Sequence, residues 1–487
     1  MWRQTDCLSL AHHYMEGAAF LRPEMHLQFG DDYTSGLSAG EFPILYYMIG
    51  NLWKVFGESY FIYRLVCLII LFLGLFALYK SLEILIKDKF WSVVISALLF
   101  TSPVYVIYGV SFLTDVPAFS FVLIALYFIL KYFKDKSLWK FFLSMMFFAL
   151  AGLLKTSSMI AFVFLFFILF IESFSIKTFF NQKLFSCKIF EWIGFTSVVG
   201  VVFSWYLYAE YYNSIHGFKY TFNNIYPIWK IKKGEISELI KGVNNFTSYV
   251  YFSTAILFAL LFIGAFNIFN RKAISLFAYL ANMIVTIGCL IYFILWGPLM
   301  GIHDYYYSSL LILFIGIIIP FVVFIKSGYP QIFNGKKTKV FLLLLLSYNF
   351  IYCISLAKLK TTSKEGNFVV VRNHEFIKLM QWTNWDVESN WYRFVSMKPY
   401  IRQIGIKPED KIISLPDPSF NVSLYLINQK GWTNFSNYSD SKEIEKLIAK
   451  GAKYLFVSDP VYLEKEFLAP FLFNKIGDYQ GIGIFRL

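Results

Sequence analysis

Ten apolar runs, each near the length a helix needs to cross a bilayer, constrain this chain more than any other feature. They lie near 60–86, 91–109, 116–133, 138–154, 157–172, 191–210, 246–269, 273–296, 305–326 and 339–357. In hydrocarbon every backbone N–H and C=O has to be bonded within the protein, so such runs form helices. The expected fold is a polytopic α-helical membrane protein. Composition agrees: 57% of residues are hydrophobic and the mean hydropathy is +0.56, too little polar surface to coat a soluble particle.

The net charge of +13 would point to nucleic acid in a soluble protein. Here the lysines recur in alternate short loops, which is the pattern that sets membrane orientation. One set of loops holds Lys80, Lys87 and Lys89; Lys131, Lys134, Lys136 and Lys140; Lys177, Lys183 and Lys188; Arg271 and Lys272; and Lys326, Lys336, Lys337 and Lys339. That set is expected in the cytoplasm, and no nucleic-acid partner is expected. The opposite set faces outward: residues 1–59, Tyr108 to Asp115, Tyr211 to Asn245, Gly297 to Asp304, and everything after Lys358. The five cysteines are scattered without a CxxC spacing, which argues against a disulfide framework or a zinc site. Charged and polar residues stand at the start where a signal peptide would have its apolar core.

Residues 1–357 therefore read as a membrane domain whose first outward loop is 1–59, and residues 358–487 as an outward-facing α/β cap of about 130 residues, within the usual domain range. In the cap, Lys411 to Leu415 and Lys453 to Val457 read as buried strands, Ser441 to Lys450 as a helix ending at Gly451, and Gly481 to Leu487 as a last strand. Pro416-Asp417-Pro418 follows a strand end, where α/β folds tend to bind ligands, although such a sequence is more often a turn. Neither an internal repeat nor a pair of matched broken helices is visible in the sequence.

Chemistry-bearing residues gather in the outward segments. From Asp6 to Ala19 the apolar residues Leu8, Ala11, Met15 and Ala18 share one helical face, leaving Ser9, His12, His13 and Glu16 on a solvated one. Asp6 stands where an N-cap would stand. Glu41 precedes the first span, and Asp115 abuts an apolar run in Thr114-Asp115-Val116-Pro117, where capping the next helix is the competing role. Charges at that depth are costly unless they have a partner or a task. Three carboxylates on one face could supply a general base and a cation-binding pair. Across from them, His303 leads into Asp304-Tyr305-Tyr306-Tyr307. Tyrosines at an interface are ordinary, but His303 beside Tyr305 and Tyr306 could hold a phosphate or share a metal with a carboxylate such as Glu41. Lys155, in an outward turn, could pair with a phosphate, and Arg64 could do so or simply snorkel.

With these pieces together the sequence resembles the GT-C membrane glycosyltransferases of the protein O-mannosyltransferase and aminoarabinose transferase type, family 39-like. The matching pieces are Trp2-Arg3-Gln4-Thr5-Asp6, Glu41-Phe42-Pro43, Ser102-Pro103 with Thr114-Asp115-Val116-Pro117, Lys155, and His303-Asp304-Tyr305-Tyr306, within residues 1–330. The resemblance implies transfer of a sugar from a polyprenyl-phosphate donor to a lipid, glycan or protein acceptor of the cell envelope. The reaction would be inverting, at the non-cytoplasmic face of a bacterial inner membrane. It implies Asp6 as base, Glu41 as its partner with a divalent metal ion as an option, Asp115 as a further carboxylate, and His303, Tyr305, Tyr306, Arg64 and Lys155 around the donor phosphate. A nucleotide cofactor is not implied. The family also carries a membrane helix ahead of its first acidic motif, so a segment upstream of Met1 is expected, and Phe42 stands where the aminoarabinose branch has Lys. Two other readings remain at this stage: a transporter or flippase of lipid-linked glycans, and an inactive truncated relative. Charges gathered at one face rather than at mid-membrane favour the enzyme.

Overall fold

The structure, a computed structural model, describes residues 2–174, 183–185, 188–218, 224–361, 376–377, 391–436 and 438–487. Lys177, part of the expected cytoplasmic set, lies outside them, as does most of 362–390 at the start of the cap.

Among the described residues, fifteen α-helices make up the membrane part: α1 (Trp2–Met15), α2 (Ile44–Phe56), α3 (Tyr60–Ile86), α4 (Lys89–Phe100), α5 (Pro103–Gly109), α6 (Asp115–Asp135), α7 (Leu138–Leu154), α8 (Ile160–Ser173), α9 (Lys188–Ile215), α10 (Ile236–Tyr249), α11 (Thr254–Phe269), α12 (Leu276–Met300), α13 (Leu311–Gly328), α14 (Pro330–Asn334) and α15 (Lys336–Thr361). Among the described residues, seven helices are long and apolar enough to cross a membrane, nine if two bent pairs count as one span each. The tenth expected run is α7, apolar but only 17 residues long.

The bends have physical causes. Pro103 cannot continue α4, because it has no N–H and its ring crowds the preceding turn, so α5 leaves at 69°. The second bend, 96° between α10 and α11, has no proline and is invisible in the sequence. Both are sealed by Asn349 of α15, fully buried, whose amide donates to Thr101 O and Oγ1 (2.9 and 2.8 Å) and accepts from Ser253 N at 2.7 Å. Val104 N also donates to Val250 O, joining the breaks directly. The two bent pairs differ in angle, and neither is marked in the sequence as one of a matched pair of broken helices.

The bundle has two chemically different ends. α6 starts at Asp115 and ends in Lys134 and Asp135. At the lysine end, Lys326 donates to the carbonyls of Ile86 and Lys87, and Trp91 stacks on Phe333. The carboxylates lie at the other end.

There α1 packs on α2 so closely that a Cβ on Gly50 would sit 2.6 Å from Ala11 O and Tyr14 Cβ. α1 is buried almost all round, and Asp6 lies inside it rather than at its N-cap. The face holding Ser9 and His12 is not solvated either, because the C-terminal domain covers it: His26 meets Ser9 and Asn428, and Asn421 accepts from Leu27 N. Gly431 and His26–Gln28 exchange backbone bonds, so the opening loop extends the edge of the C-terminal sheet.

That sheet runs in the order β2-β1-β3-β5-β4, with β1 (Lys411–Leu415), β2 (Gly431–Thr433) and β3 (Ala452–Val457) parallel, and β4 (Lys475–Tyr479) and β5 (Ile482–Arg486) antiparallel. The helix Ser441–Ala449 starts with a capping box of Asp440 and Glu443. Both expected strands, the helix and the last strand are where the sequence puts them. Asp417 is a turn residue: it is buried, and its carboxylate accepts from the backbone and hydroxyls of Ser419 and Ser423.

Candidate active site

Arg3 and Asp6 stand one turn apart on α1, so both point at the same neighbour. That neighbour is the stretch before α2, where Arg3 donates to both oxygens of Glu41 at 2.6 and 2.5 Å. Asp6 Oδ2 lies 3.7 Å from Arg3, and its Oδ1 is buried without a hydrogen-bond partner. Burial lifts the Asp6 carboxyl to about 7; Arg3 opposes that rise and Glu41 adds to it. Burial would raise Glu41 as well, but Arg3 and then Lys155 outweigh it and hold Glu41 below the usual carboxylate range.

Asp115 opens α6, with Thr114 at the N-cap making no side-chain cap bond. Its carboxylate does not cap the helix. It lies instead 3.1 Å from Lys155 Nζ. Lys155 is in position because α7 ends there in an extended residue, and its ammonium sits over the rings of Tyr306 at 4.9 Å and Tyr305 at 5.8 Å. Those tyrosines belong to the 3-10 turn Asp304–Leu310. His303, just before it, stacks 5.3 Å from Tyr305. Burial pulls the His303 imidazole down to about 4, so at neutral pH it is an uncharged donor and acceptor.

Asp6 and Glu41 thus gather around Arg3, and Asp115, Tyr305, Tyr306 and His303 around Lys155, whose charge is felt at Glu41 and so makes the two groups neighbours. Arg64 does not join them: the residue is exposed on α3 with its guanidinium 5.1 Å over Phe112. Among the described residues, no group of three or more His, Cys, Asp or Glu could hold a metal ion. Glu41 is taken by Arg3 and Asp115 by Lys155, so the arrangement does not fit a cation between Glu41 and His303, and no step below runs through one. Sequence reading gave Arg3 no role, although its spacing from Asp6 was a usable signal. It also missed Lys360 and Tyr108, both bonded to Asp304.

Chemically the site sets two cations, Arg3 and Lys155, against three carboxylates, one of which titrates near neutrality. It offers a proton acceptor at Asp6 and positive charge for an anion close by.

Residues 41–190 match the family model described as dolichyl-phosphate-mannose-protein mannosyltransferase, a range that takes in Glu41, Asp115 and Lys155. ArnT from Cupriavidus metallidurans bound to undecaprenyl phosphate superposes with a TM-score of 0.55 over 99% of this chain and 93% of that one, at 10% identity. The apo state of ArnT gives 0.54 over the same shares, at 12% identity. The chain shares the fold of ArnT. A comparison with curated proteins finds no match. Arg3 and Asp6 precede the stretch covered by the family model, while the turn carrying Tyr305 and Tyr306 follows it.

Proposed function

We propose that this chain is a glycosyltransferase that moves a sugar from a polyprenyl-phosphate donor to a lipid, glycan or protein acceptor, at the outer face of a bacterial cytoplasmic membrane. The observation that carries the reading is Asp6: a buried carboxylate with one unpartnered oxygen, titrating near 7, beside the cation Arg3. The GT-C fold and the undecaprenyl phosphate held by ArnT support the donor class. The lysine-rich loops at the far end of the bundle support the outward orientation.

In this reading the Asp6 carboxylate takes the proton of an acceptor hydroxyl. The oxygen attacks the anomeric carbon, and the bond from that carbon to the phosphate oxygen breaks with its electron pair. Polyprenyl phosphate departs with an added negative charge that Arg3 and Lys155 stabilise. Attack from the side opposite the phosphate gives inversion. The transporter reading gains nothing from the two broken helices, because their freed backbone groups are satisfied by Asn349.

The test is sugar transfer by membranes containing this chain, given radiolabelled polyprenyl-phosphate sugars and an envelope lipid extract. Asp6→Asn should lower transfer by about 10²- to 10⁴-fold, the usual worth of a general base, with polyprenyl-phosphate binding retained. Undiminished transfer would remove Asp6 as base, and a wild-type chain that transfers no sugar would remove the reading.

A further inference from the structure

The turn that carries Tyr305 and Tyr306 is held by a charged clamp that the chemistry above does not use. Asp304, the first residue of that turn, is buried. One of its oxygens accepts from the Tyr108 hydroxyl at the end of α5, and the other from Lys360 Nζ at the end of α15. Lys360 also donates to the Tyr108 hydroxyl and lies 4.6 Å over its ring. Each member of the triangle bonds the other two, so none is left unpaired in a buried place where that would be expensive.

The clamp touches the site through ring contacts. Tyr108 meets Tyr305 edge to face at 5.8 Å, Tyr305 stacks on Tyr306 at 4.7 Å, and Tyr306 lies under Lys155. In the chain α15 precedes the C-terminal domain, which packs on α1, the helix carrying Arg3 and Asp6.

We infer that Asp304 is a positioning residue: clamped by Lys360 and Tyr108, it fixes the tyrosine pair against Lys155 and so makes the grip on the donor's phosphate depend on the seat of α15. The inference rests on the reading of the site as a polyprenyl-phosphate site. Asp304 touches neither donor nor acceptor in this scheme. Its loss should loosen the tyrosines over Lys155 and leave Asp6 in place.

The variants to compare are Asp304→Asn, Tyr108→Phe, which removes only a hydroxyl, and Lys360→Arg, which keeps the charge, all in the full chain. Undecaprenyl phosphate is the binding probe, and donor KM, acceptor KM and kcat are measured separately. Tyr108→Phe and Asp304→Asn should weaken undecaprenyl-phosphate binding and raise donor KM about tenfold or more, the scale of a small misplacement in a site. Acceptor KM should not change, and Lys360→Arg should behave much as wild type. If Asp304→Asn fails to fold, Tyr108→Phe decides alone. Unchanged donor KM in Tyr108→Phe, or equal rises in both KM values, overturns the inference while leaving the proposed function intact. A wild-type chain that does not bind undecaprenyl phosphate overturns both.

Discussion

Arg3 grips both carboxylate oxygens of Glu41 across 38 residues of sequence, at 2.6 and 2.5 Å. Both bonds come from Nη2, while Nη1 lies 3.7 Å from Asp6, so the guanidinium spans two carboxylates where an ammonium would have one nitrogen for both. Arg3→Lys should therefore keep the charge but face only one of the two carboxylates. Transfer in membranes should fall at least tenfold with the amount of folded protein unchanged. Full activity in Arg3→Lys would mean that charge alone matters at this position.

Asp6 acts as a base only when ionised, and its carboxyl titrates at about 7. Transfer should rise with pH and level off above about 7, rather than being flat across pH 5 to 8 as an ordinary aspartate would give. A pH profile of kcat over KM checks this, and a flat profile would separate the base from Asp6.

Asp115 is buried and its partner Lys155 half-buried, and removing the lysine strands the buried carboxylate. Lys155→Met should destabilise the fold by about 3–5 kcal/mol, and the double variant Lys155→Met with Asp115→Asn by clearly less. Unfolding midpoints in one detergent would measure both. If the double variant is as unstable as the single, the pair is not what holds these helix ends.

His12 sits between Glu16 and Glu58 under the C-terminal domain, 3.4 and 3.3 Å away. Burial alone would lower its imidazole, but the two carboxylates raise it to about 9, and His12 in turn brings Glu16 down to about 2. The histidine's folded value is above its unfolded one, so its stabilisation is complete below about 6.5 and disappears as pH rises through 9. The contribution of Glu16 is complete above its ordinary value and disappears as pH falls towards 2. Thermal stability should therefore decline on the alkaline side between about pH 6.5 and 9, and His12→Asn should flatten that limb. An unaltered limb in the variant would assign the decline to other groups.

Arg64 provides the contrast. It is exposed and covers only the ring of Phe112, a contact worth at most about 1 kcal/mol. Arg64→Ala should leave transfer and donor KM unchanged, and a tenfold rise in donor KM would return it to the phosphate site.

How much of this was legible in the sequence follows from what each feature depends on. Spans depend on local hydropathy, and all ten runs are helices or bent helix pairs. β1 and β3 are continuous apolar runs and could be read, whereas β2 is three residues long and β4 lacks a buried pattern. Asp6, Glu41 and Asp115 stood out because carboxylates are rare beside membrane. Their partners did not stand out: Lys155 meets Asp115 across two helices, and Lys360 meets Asp304 across 56 residues. His12 was misread because an apolar stripe says which face is buried first, and nothing in it announces that another domain covers the second face.

Asn349 gives the molecule a direction in time. A chain is made from its N-terminus, so α4, α5, α10 and α11 leave the ribosome before the residue that satisfies both their breaks. Until α15 arrives, Thr101 O and Ser253 N have no partner in a setting where water is scarce. The clamp of Tyr108 on Asp304 is therefore finished by a later piece of chain, the same helix that brings Lys360. One helix, α15, thus supplies both the amide that closes the two breaks and the ammonium that closes the clamp on Asp304.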